Sequence, residues 1–592
     1  MKDRRSRKYK QGGQRSGRAG QDSRKKQSTA VEGIGVRQVG QGTGSRSTSK
    51  KVLTAPVQKN DQVELEIIGL THDGEGVGRV EGFTLFVQGA LPGETVRAHV
   101  LKVKKQYGYA KMIERLQNSP HRVDIEHPAH YYGGCQLQHL AYGEQLRWKR
   151  QHVVDVLERI GKFEVAQEDE GASEGLTLEE HDSFAGDHTS SSSDSEAAEK
   201  PEAELDGKHS IAEGTVISTQ DSSRGVSIHD EADNTDEDKC EKSGYAIKVH
   251  PTIGMDNPWR YRNKSQMPIG ADDKTGELIG GYYVKASHRI IDTDVSLIQH
   301  EMHDEAMRVV KQVVRKYGII PYDEESHHGL LRHVIMRVGF RTKELMVVLV
   351  TNGDKLPYQT EIVNELVQAL PNLKSICQNV NTKRTNVIMG DKTRVLWGEE
   401  YITDYIGDIE FKISARSFYQ VNPVQTEVLY DKAVEYAGLT GEETVIDAYC
   451  GIGTISLFLA KKAKRVYGVE IVEEAIQDAR RNAELNGIEH VEFAVGAAEV
   501  VIPQWKEQGI EADVIVVDPP RKGCDPALLD TMLAMRPERI VYVSCNPSTL
   551  ARDLRILADG GYAVKEVQPV DMFPHTSHVE CTVLLKLRGA ND

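Results

Sequence analysis

The sequence predicts a multidomain chain: a small antiparallel β-barrel near its start, a central α+β domain, and a Rossmann-like, doubly wound α/β sheet at its end. Three observations carry that expectation. From Thr444 onward, buried-strand runs alternate with helical stretches, the order of a parallel sheet with helical crossovers. From Asp61 to about Gln117 the pattern alternates at period two between glycine-containing turns, as small barrels do. Residues 1–57 and 165–243 hold too few periodic apolar side chains to build a core and are expected to be disordered.

At 592 residues the chain exceeds what one core serves. Its seven cysteines are scattered and odd in number, so no disulfide framework is expected and a reducing cytoplasm is. No run is long and apolar enough for a membrane span, and the N-terminus lacks the apolar core of a signal peptide. A cytoplasmic monomer without membrane contact is the expectation. The net charge of −15 argues against a nucleic-acid partner, but its distribution reverses that impression. Lys2, Arg4, Arg5, Arg7, Lys8 and Lys10 open a basic arm suited to polyphosphate. The acidic, serine-rich insertion 165–243 supplies much of the opposite sign.

In order along the chain, the runs Val63-Glu-Leu-Glu-Ile67, Thr84-Leu-Phe-Val87 and Thr95-Val-Arg-Ala-His-Val100 form the barrel, placed at 58–118, with Lys102, Lys104, Lys105 and Tyr107 beside it. This segment resembles a TRAM domain, an RNA-binding barrel. His127, His130, Cys135 and His139 offer nitrogen and sulfur donors, but their spacing matches neither a zinc ribbon nor a zinc finger. Tyr142 to about Phe163 reads as an amphipathic helix. Residues 119–164 and 244–408 are assigned to the central α+β domain. There Arg260, Arg262 and Lys264 interleave with Trp259 and Tyr261, as a single-stranded RNA surface requires and as an ordinary exposed strand also allows.

Residues 409–592 hold the chemistry. Thr444-Val-Ile-Asp-Ala-Tyr-Cys-Gly-Ile-Gly453 is a strand followed by a glycine turn, and Thr454 to Lys462 a helix. Asp447, Tyr449, Gly451 and Gly453 lie at or before that turn. Glu470, about twenty residues further on, ends a second strand where an acid would bind ribose hydroxyls. The third glycine of the dinucleotide fingerprint is replaced by Ser456, which favours S-adenosylmethionine, a cofactor without pyrophosphate, over NAD. Strand 513–517 runs into Asp518-Pro-Pro-Arg521, a stiff acidic lip.

Cys545 follows the apolar run Ile540–Val543 at a strand's C-terminal end, where open α/β sheets hold ligands. An amine needs no thiol to attack a methyl sulfonium. Carbon 5 of a pyrimidine does: a thiolate must add at carbon 6 before carbon 5 becomes nucleophilic. A base must then remove the carbon-5 proton. Glu580, opening the terminal strand, is the candidate, ahead of His575 and His578.

Phe418-Tyr-Gln-Val-Asn422, Asp447 to Gly453, Asp518 to Arg521, Ser544 to Pro547 and His578-Val-Glu580 together resemble the RNA 5-methyluridine methyltransferase family. The TRAM-like barrel resembles that family's 23S rRNA branch more than its tRNA branch. The resemblance implies a class I methyltransferase fold and places S-adenosylmethionine at Gln420, Tyr449, Glu470 and Asp518. It makes Cys545 the nucleophile, Glu580 the base, Phe418 a support for the flipped uracil, and puts Arg521 near the substrate. Many members of the family hold a four-iron cluster on three closely spaced cysteines and a fourth downstream. Here Cys135 alone remains, with His127 and Tyr132 near two positions and Ser296 in the fourth. One thiolate cannot hold such a cluster, so none is expected. The rival readings are the same chemistry on tRNA and a catalytically dead RNA-binding or assembly factor.

Overall fold

The computed structural model describes residues 55–125, 134–167, 246–284 and 287–589. The expected basic tail and acidic insertion lie outside these residues except for a few positions at their edges, as do His127, His130 and Tyr132.

Strands β1 (Gln62–Leu70), β2 (Gly76–Val80), β3 (Phe83–Gln88), β4 (Thr95–Val103) and β5 (Tyr107–Gln117) close into a barrel in the order β1-β2-β3-β5-β4. Period-two patterning turns Leu65, Ile67, Leu85, Val87, Val96, Ala98 and Val100 inward. Closure leaves no strand edge exposed. Helix α1 (Tyr142–Arg159) and the short strand β6 (Lys248–Val249) follow. The sequence groups both with the central domain. In the structure Val153, Val156, Leu157 and Val249 join the apolar core of the C-terminal sheet.

The central region is a seven-stranded sheet of order β13-β12-β11-β10-β7-β8-β9. In chain order it comprises β7 (Lys264–Ala271), β8 (Leu278–Tyr283), β9 (Ile290–Asp292), α2 (Glu301–Lys316), β10 (Leu331–Val338) and β11 (Leu345–Thr351). Then come α3 (Gln359–Ala369), β12 (Leu373–Val380) and β13 (Lys392–Gly398). Helices α2 and α3 share a core with Val334, Met336, Val347 and Leu349 of the inner strands. A hairpin of β14 (Tyr401–Ile406) and β15 (Ile409–Ser414) leads onward.

The last region comprises α4 (Pro423–Ala437), β16 (Thr444–Ala448), α5 (Thr454–Ala460), β17 (Arg465–Glu470), α6 (Glu473–Leu485), β18 (Val491–Val495) and α7 (Ala498–Glu507). It continues with β19 (Val514–Val517), α8 (Pro526–Met535), β20 (Arg539–Ser544), α9 (Pro547–Asp559), β21 (Tyr562–Val570) and β22 (Glu580–Leu587). The sheet order is β18-β17-β16-β19-β20-β22-β21-β6. Strands β16 to β20 run parallel, and β22 pairs antiparallel with β20 and β21. From β16 the chain winds to one side through β17 and β18 and to the other through β19 and β20. That reversal opens a crevice at the C-terminal ends of the strands, the place such sheets give their ligands. Among the described residues, no helix is long and apolar enough to cross a membrane.

Candidate active site

The first wall of the crevice is the turn after β16. Tyr449, Gly451 and Gly453 have φ of 67°, 56° and 82°, with Cys450 and Ile452 between them outside the left-handed region. Within the turn Cys450 N donates to Val469 O at 3.1 Å and Gly453 N to Cys450 O at 2.9 Å, so those two N–H groups serve to close it. At Gly453 a Cβ would stand 3.0 Å from Phe493 Cζ and 3.2 Å from the Ala479 methyl, so glycine lets the turn seat against the sheet. At Gly451 nothing lies within 4 Å of that position, leaving room beside the backbone.

Asp447 is fully buried below this turn. Its Oδ2 accepts from Ser456 Oγ, whereas its Oδ1 has no partner among the described residues. Burial pushes the Asp447 carboxyl up to about 7, helped by Asp518 and opposed by the Ser456 bond. Glu470 ends β17, its Oε1 accepting from Val472 N at 3.0 Å. Tyr449 Oη accepts from Asp525 N at 3.4 Å. Asp518 directly follows β19, and burial pushes its carboxyl up to about 7. Gln420 is buried just before α4, its carbonyl accepting from Asn263 Nδ2 at 2.8 Å. Tyr430 of α4 feels the charges of Asp518, Asp447 and Glu580 together. An orphaned buried carboxylate oxygen, open space at Gly451 and three acids suit a cation bearing ribose hydroxyls. The same acids would repel a pyrophosphate.

The second wall is the corner after β20. Register pairs Ser544, the last residue of β20, with Cys581; Cys545 and Glu580 are the chain neighbours of that last pair, and the Glu580 charge is felt at the Cys545 thiol. Asn546 caps α9 by accepting from Ser548 N at 3.0 Å, with Pro547 in the first turn. Asn546 Nδ2 and Thr549 Oγ1 both donate to the Arg521 carbonyl at 3.2 Å, tying this corner to the acidic lip. Cys545 is half-buried. Burial pushes its thiol up to about 12; Glu580 and Asp518 add to this, and Arg521 opposes it. Glu580 is 5% exposed, and burial pushes its carboxyl up to about 8, with Asp518 adding and Arg521 opposing. Without ligands, the pair is a thiol beside a mostly protonated acid at neutral pH.

The two histidines hold other posts. His575 has φ of 64° and stacks on Trp259 at 3.6 Å between ring centroids. Its Nδ1 lies 3.2 Å from Gln145 Nε2, and its backbone N donates to Gln145 Oε1 at 3.0 Å. Burial draws its value down to about 3. His578 meets the Phe573 ring edge-on, and burial followed by Arg521 draws it down to about 4. Phe418 is 66% exposed. The segment that carries it, between β15 and α4, is held by Arg337 Nη2 donating to Ser417 O at 2.6 Å and Ser417 Oγ donating to Asp478 Oδ2 at 2.8 Å. The Arg521 side chain is exposed.

Arg260 and Arg262, expected on an RNA-facing strand, are engaged internally. Arg260 Nη1 pairs with Asp304 and donates to the carbonyls of Ser296 at 2.9 Å and Gln299 at 3.2 Å. The Arg262 guanidinium lies 5.9 Å from the ring centroids of both Tyr261 and Phe573. The physical reason is that the aromatic partners turn inward. Tyr261 is 1% exposed and donates to Pro574 O at 3.0 Å, while Trp259 covers His575. Cys135 packs with Tyr261 and Ile298, and burial pushes its thiol up to about 12. Ser296 Oγ accepts from Tyr282 Oη at 2.9 Å. An apolar and hydrogen-bonded seam thus surrounds both. Among the described residues no group of three or more His, Cys, Asp or Glu is placed to hold a metal ion.

Sequence reasoning misses the support beneath Glu580. Lys149 of α1 and Asp571 are both fully buried and paired at 2.5 Å. Tyr142 Oη donates to Asp571 Oδ2 at 3.0 Å, and Phe573 N to its Oδ1 at 3.2 Å. Gln425 Nε2 and Asn422 Nδ2 of the α4 start donate to the carbonyls of Asp571 and Met572 at 3.1 Å. No motif spacing announces these contacts.

The buried acids predict a pH dependence of stability. Asp447 and Glu580 stand above the ordinary carboxylate range in the fold, so the folded chain binds more protons than the unfolded one across that gap. Their stabilising share is full below the ordinary range and is lost as pH rises through about 7 for Asp447 and about 8 for Glu580. Each such group lowers stability by about 1.4 kcal/mol per pH unit within its window. The melting temperature of the ligand-free protein is expected to fall from about pH 5 to about pH 8, and Glu580→Gln to remove part of that fall. Superimposable wild-type and variant profiles would contradict this.

Comparison with known proteins identifies the family and the fold. The tRNA (Uracil-5-)-methyltransferase family matches residues 296–588, and the TRAM domain matches residues 56–113. A protein of Halalkalibacterium halodurans, described as an uncharacterized RNA methyltransferase, is 53% identical over 536 residues, 90% of this chain and 99% of its own. One of Bacillus cereus with the same description is 49% identical over 536 residues, again 90% of this chain and 99% of its own. The crystal structure of Pyrococcus abyssi tRNA (uracil-54, C5)-methyltransferase in complex with S-adenosyl-L-homocysteine matches with a TM-score of 0.61 at 26% identity. That match covers 88% of this chain and 100% of the other. The chain belongs to the tRNA (uracil-5-)-methyltransferase family of RNA methyltransferases, with an S-adenosylmethionine-dependent methyltransferase fold behind an N-terminal TRAM barrel.

Proposed function

We propose that the protein methylates carbon 5 of a uracil in 23S rRNA through a transient bond between Cys545 and carbon 6 of the base. The observation that supports this reading is that the β20–β22 register ends at Ser544 and Cys581, with a half-buried thiol and a buried carboxyl next to that pair and the charge of one felt by the other. Asp447, Tyr449, Gly451, Gly453, Glu470, Asp518 and Gln420 would hold S-adenosylmethionine, which supplies an electrophilic methyl on a sulfonium. As base and cofactor dock, Cys545 and Glu580 release their protons to solvent; the Cys545 thiolate then adds to carbon 6, and the electron pair of the 5,6 double bond moves out to make carbon 5 nucleophilic. After carbon 5 is alkylated, Glu580 as carboxylate takes its proton, the double bond re-forms and the sulfur leaves. The target base must quit its stack to reach Cys545. The exposed Phe418 would offer it a face, and Arg521 is the nearby cation that favours both anions.

The TRAM barrel supports rRNA as substrate through the family resemblance. The name of the Pyrococcus abyssi relative, a tRNA methyltransferase, supports tRNA as the second reading. Incubation with unmodified 23S rRNA and, separately, with unmodified tRNA is expected to give 5-methyluridine in the rRNA alone. Product in tRNA alone would overturn the rRNA assignment, and product in neither would overturn the activity.

A further inference from the structure

We propose that the loop joining β12 to β13, residues 381–391, is a ready-made contact for the single-stranded RNA flanking the target base, with Lys383 and Arg384 gripping phosphates and Val387 packing on a base or sugar. This rests on the reading of the protein as an enzyme acting on RNA.

The loop has no ladder of its own, yet side chains fix its backbone. Asn381 Nδ2 donates to the carbonyls of Val387 at 2.7 Å and Ile388 at 3.0 Å, and its Oδ1 accepts from Lys383 N at 3.1 Å. Arg332 Nη1 donates to the carbonyls of Asn381 and Lys383, each at 2.8 Å. Asn379 clamps Gly390 at both ends, accepting from its N at 2.7 Å and donating to its O at 3.0 Å. A Cβ at Gly390 would lie 1.9 Å from Val380 O, so the chain closes there only with glycine. Ile388 and Met389 root the loop in the core shared with the methyltransferase sheet.

This scaffold lifts two cations, small polar side chains and one apolar side chain into solvent, with Arg384 lining a surface cavity it shares with Glu324 and Glu325. Residues 382–390 contain no acid. Val387 is 63% exposed. Arg384 is exposed with no ion pair among the described residues, and Lys383 meets Asp391 at 2.8 Å in a largely exposed pair. Such pairs contribute little, and a phosphate can replace the carboxylate. The position also fits, because Arg416 Nη1 donates to Gly390 O at 2.7 Å and Arg416 stands two residues before Phe418. The base of the loop is thereby tied to the segment that carries Phe418, the residue read as supporting the target base. Phosphate contacts position a strand while an apolar face stacks on it, and a loop held rigid beforehand loses little entropy on binding.

The test is the salt dependence of binding to a uridine-containing single-stranded oligoribonucleotide. For Lys383→Ala/Arg384→Ala the slope of log K against log salt should fall by about 1.4, from about 0.7 per phosphate contact. Wild type would then lose about sevenfold more affinity than the variant between 50 and 200 mM salt. Val387→Ser should weaken binding with the slope unchanged. Wild-type affinity and slope in both variants would overturn the proposal. A reduced slope in a protein that forms 5-methyluridine on no RNA would uphold the loop contact and overturn the activity alone, so the two failures are distinguishable.

Discussion

Glu580→Gln is expected to halt the reaction after carbon 5 has been alkylated, leaving the protein covalently attached to its RNA. The bond from Cys545 to carbon 6 breaks only as the carbon-5 proton departs. Glutamine has the shape of glutamate but accepts no proton, so the adduct has no exit. Steady-state turnover should fall by about 10²- to 10⁴-fold, the usual contribution of a positioned base. A denaturing gel with labelled RNA should show a shifted band that is absent with Cys545→Ala, which should neither form the adduct nor transfer methyl. The variant should also fold normally. Burial holds Glu580 protonated below about pH 8, and a neutral amide resembles that state. Normal turnover in Glu580→Gln would remove Glu580 from the role and turn attention to His578, which burial keeps neutral near Arg521.

The parts of this site that the sequence discloses are those encoded by short runs. Strands β16, β19 and β20 are parallel and buried on both faces, so they read as unbroken apolar stretches with their functional residues at the C-terminal ends. Asp447, Asp518 and Cys545 can be placed on one rim from that alone. The nearness of Glu580 to Cys545 cannot, because it depends on β22 inserting between β20 and β21, a topological fact without local signature. Arg260 and Arg262 show the opposite difficulty. Cations alternating with aromatics look the same whether the rings face solvent or a seam, and here Tyr261 and Trp259 turn inward. Strand β6 has two residues, below the length at which any periodicity exists. Lys149 and Asp571 stand 422 positions apart, joined only by the folded chain.

That distant pair carries the second large effect. Asp571→Ala is expected to destabilise the protein by about 3–5 kcal/mol, because it strands the Lys149 ammonium in a fully buried site. Burial already pulls the Lys149 value down, and Asp571 is what opposes that pull. The double variant Lys149→Met/Asp571→Leu removes both charges at similar volume and should recover most of the lost stability, since buried ion pairs rarely outperform well-packed apolar side chains. Activity should not recover with it. Asp571 also accepts from Tyr142 Oη and Phe573 N, and Lys149 Nζ donates to Phe573 O at 3.2 Å. These bonds set the path of residues 571–579, and with it the point at which Glu580 enters the sheet near Cys545. Stability measured by denaturant and adduct release measured by single turnover should therefore separate in the double variant. The first should lie near wild type, while release is slowed and adduct accumulates. A double variant with wild-type stability and wild-type release would show that Glu580 is held by the β20–β22 ladder alone and that the buried pair serves only the fold.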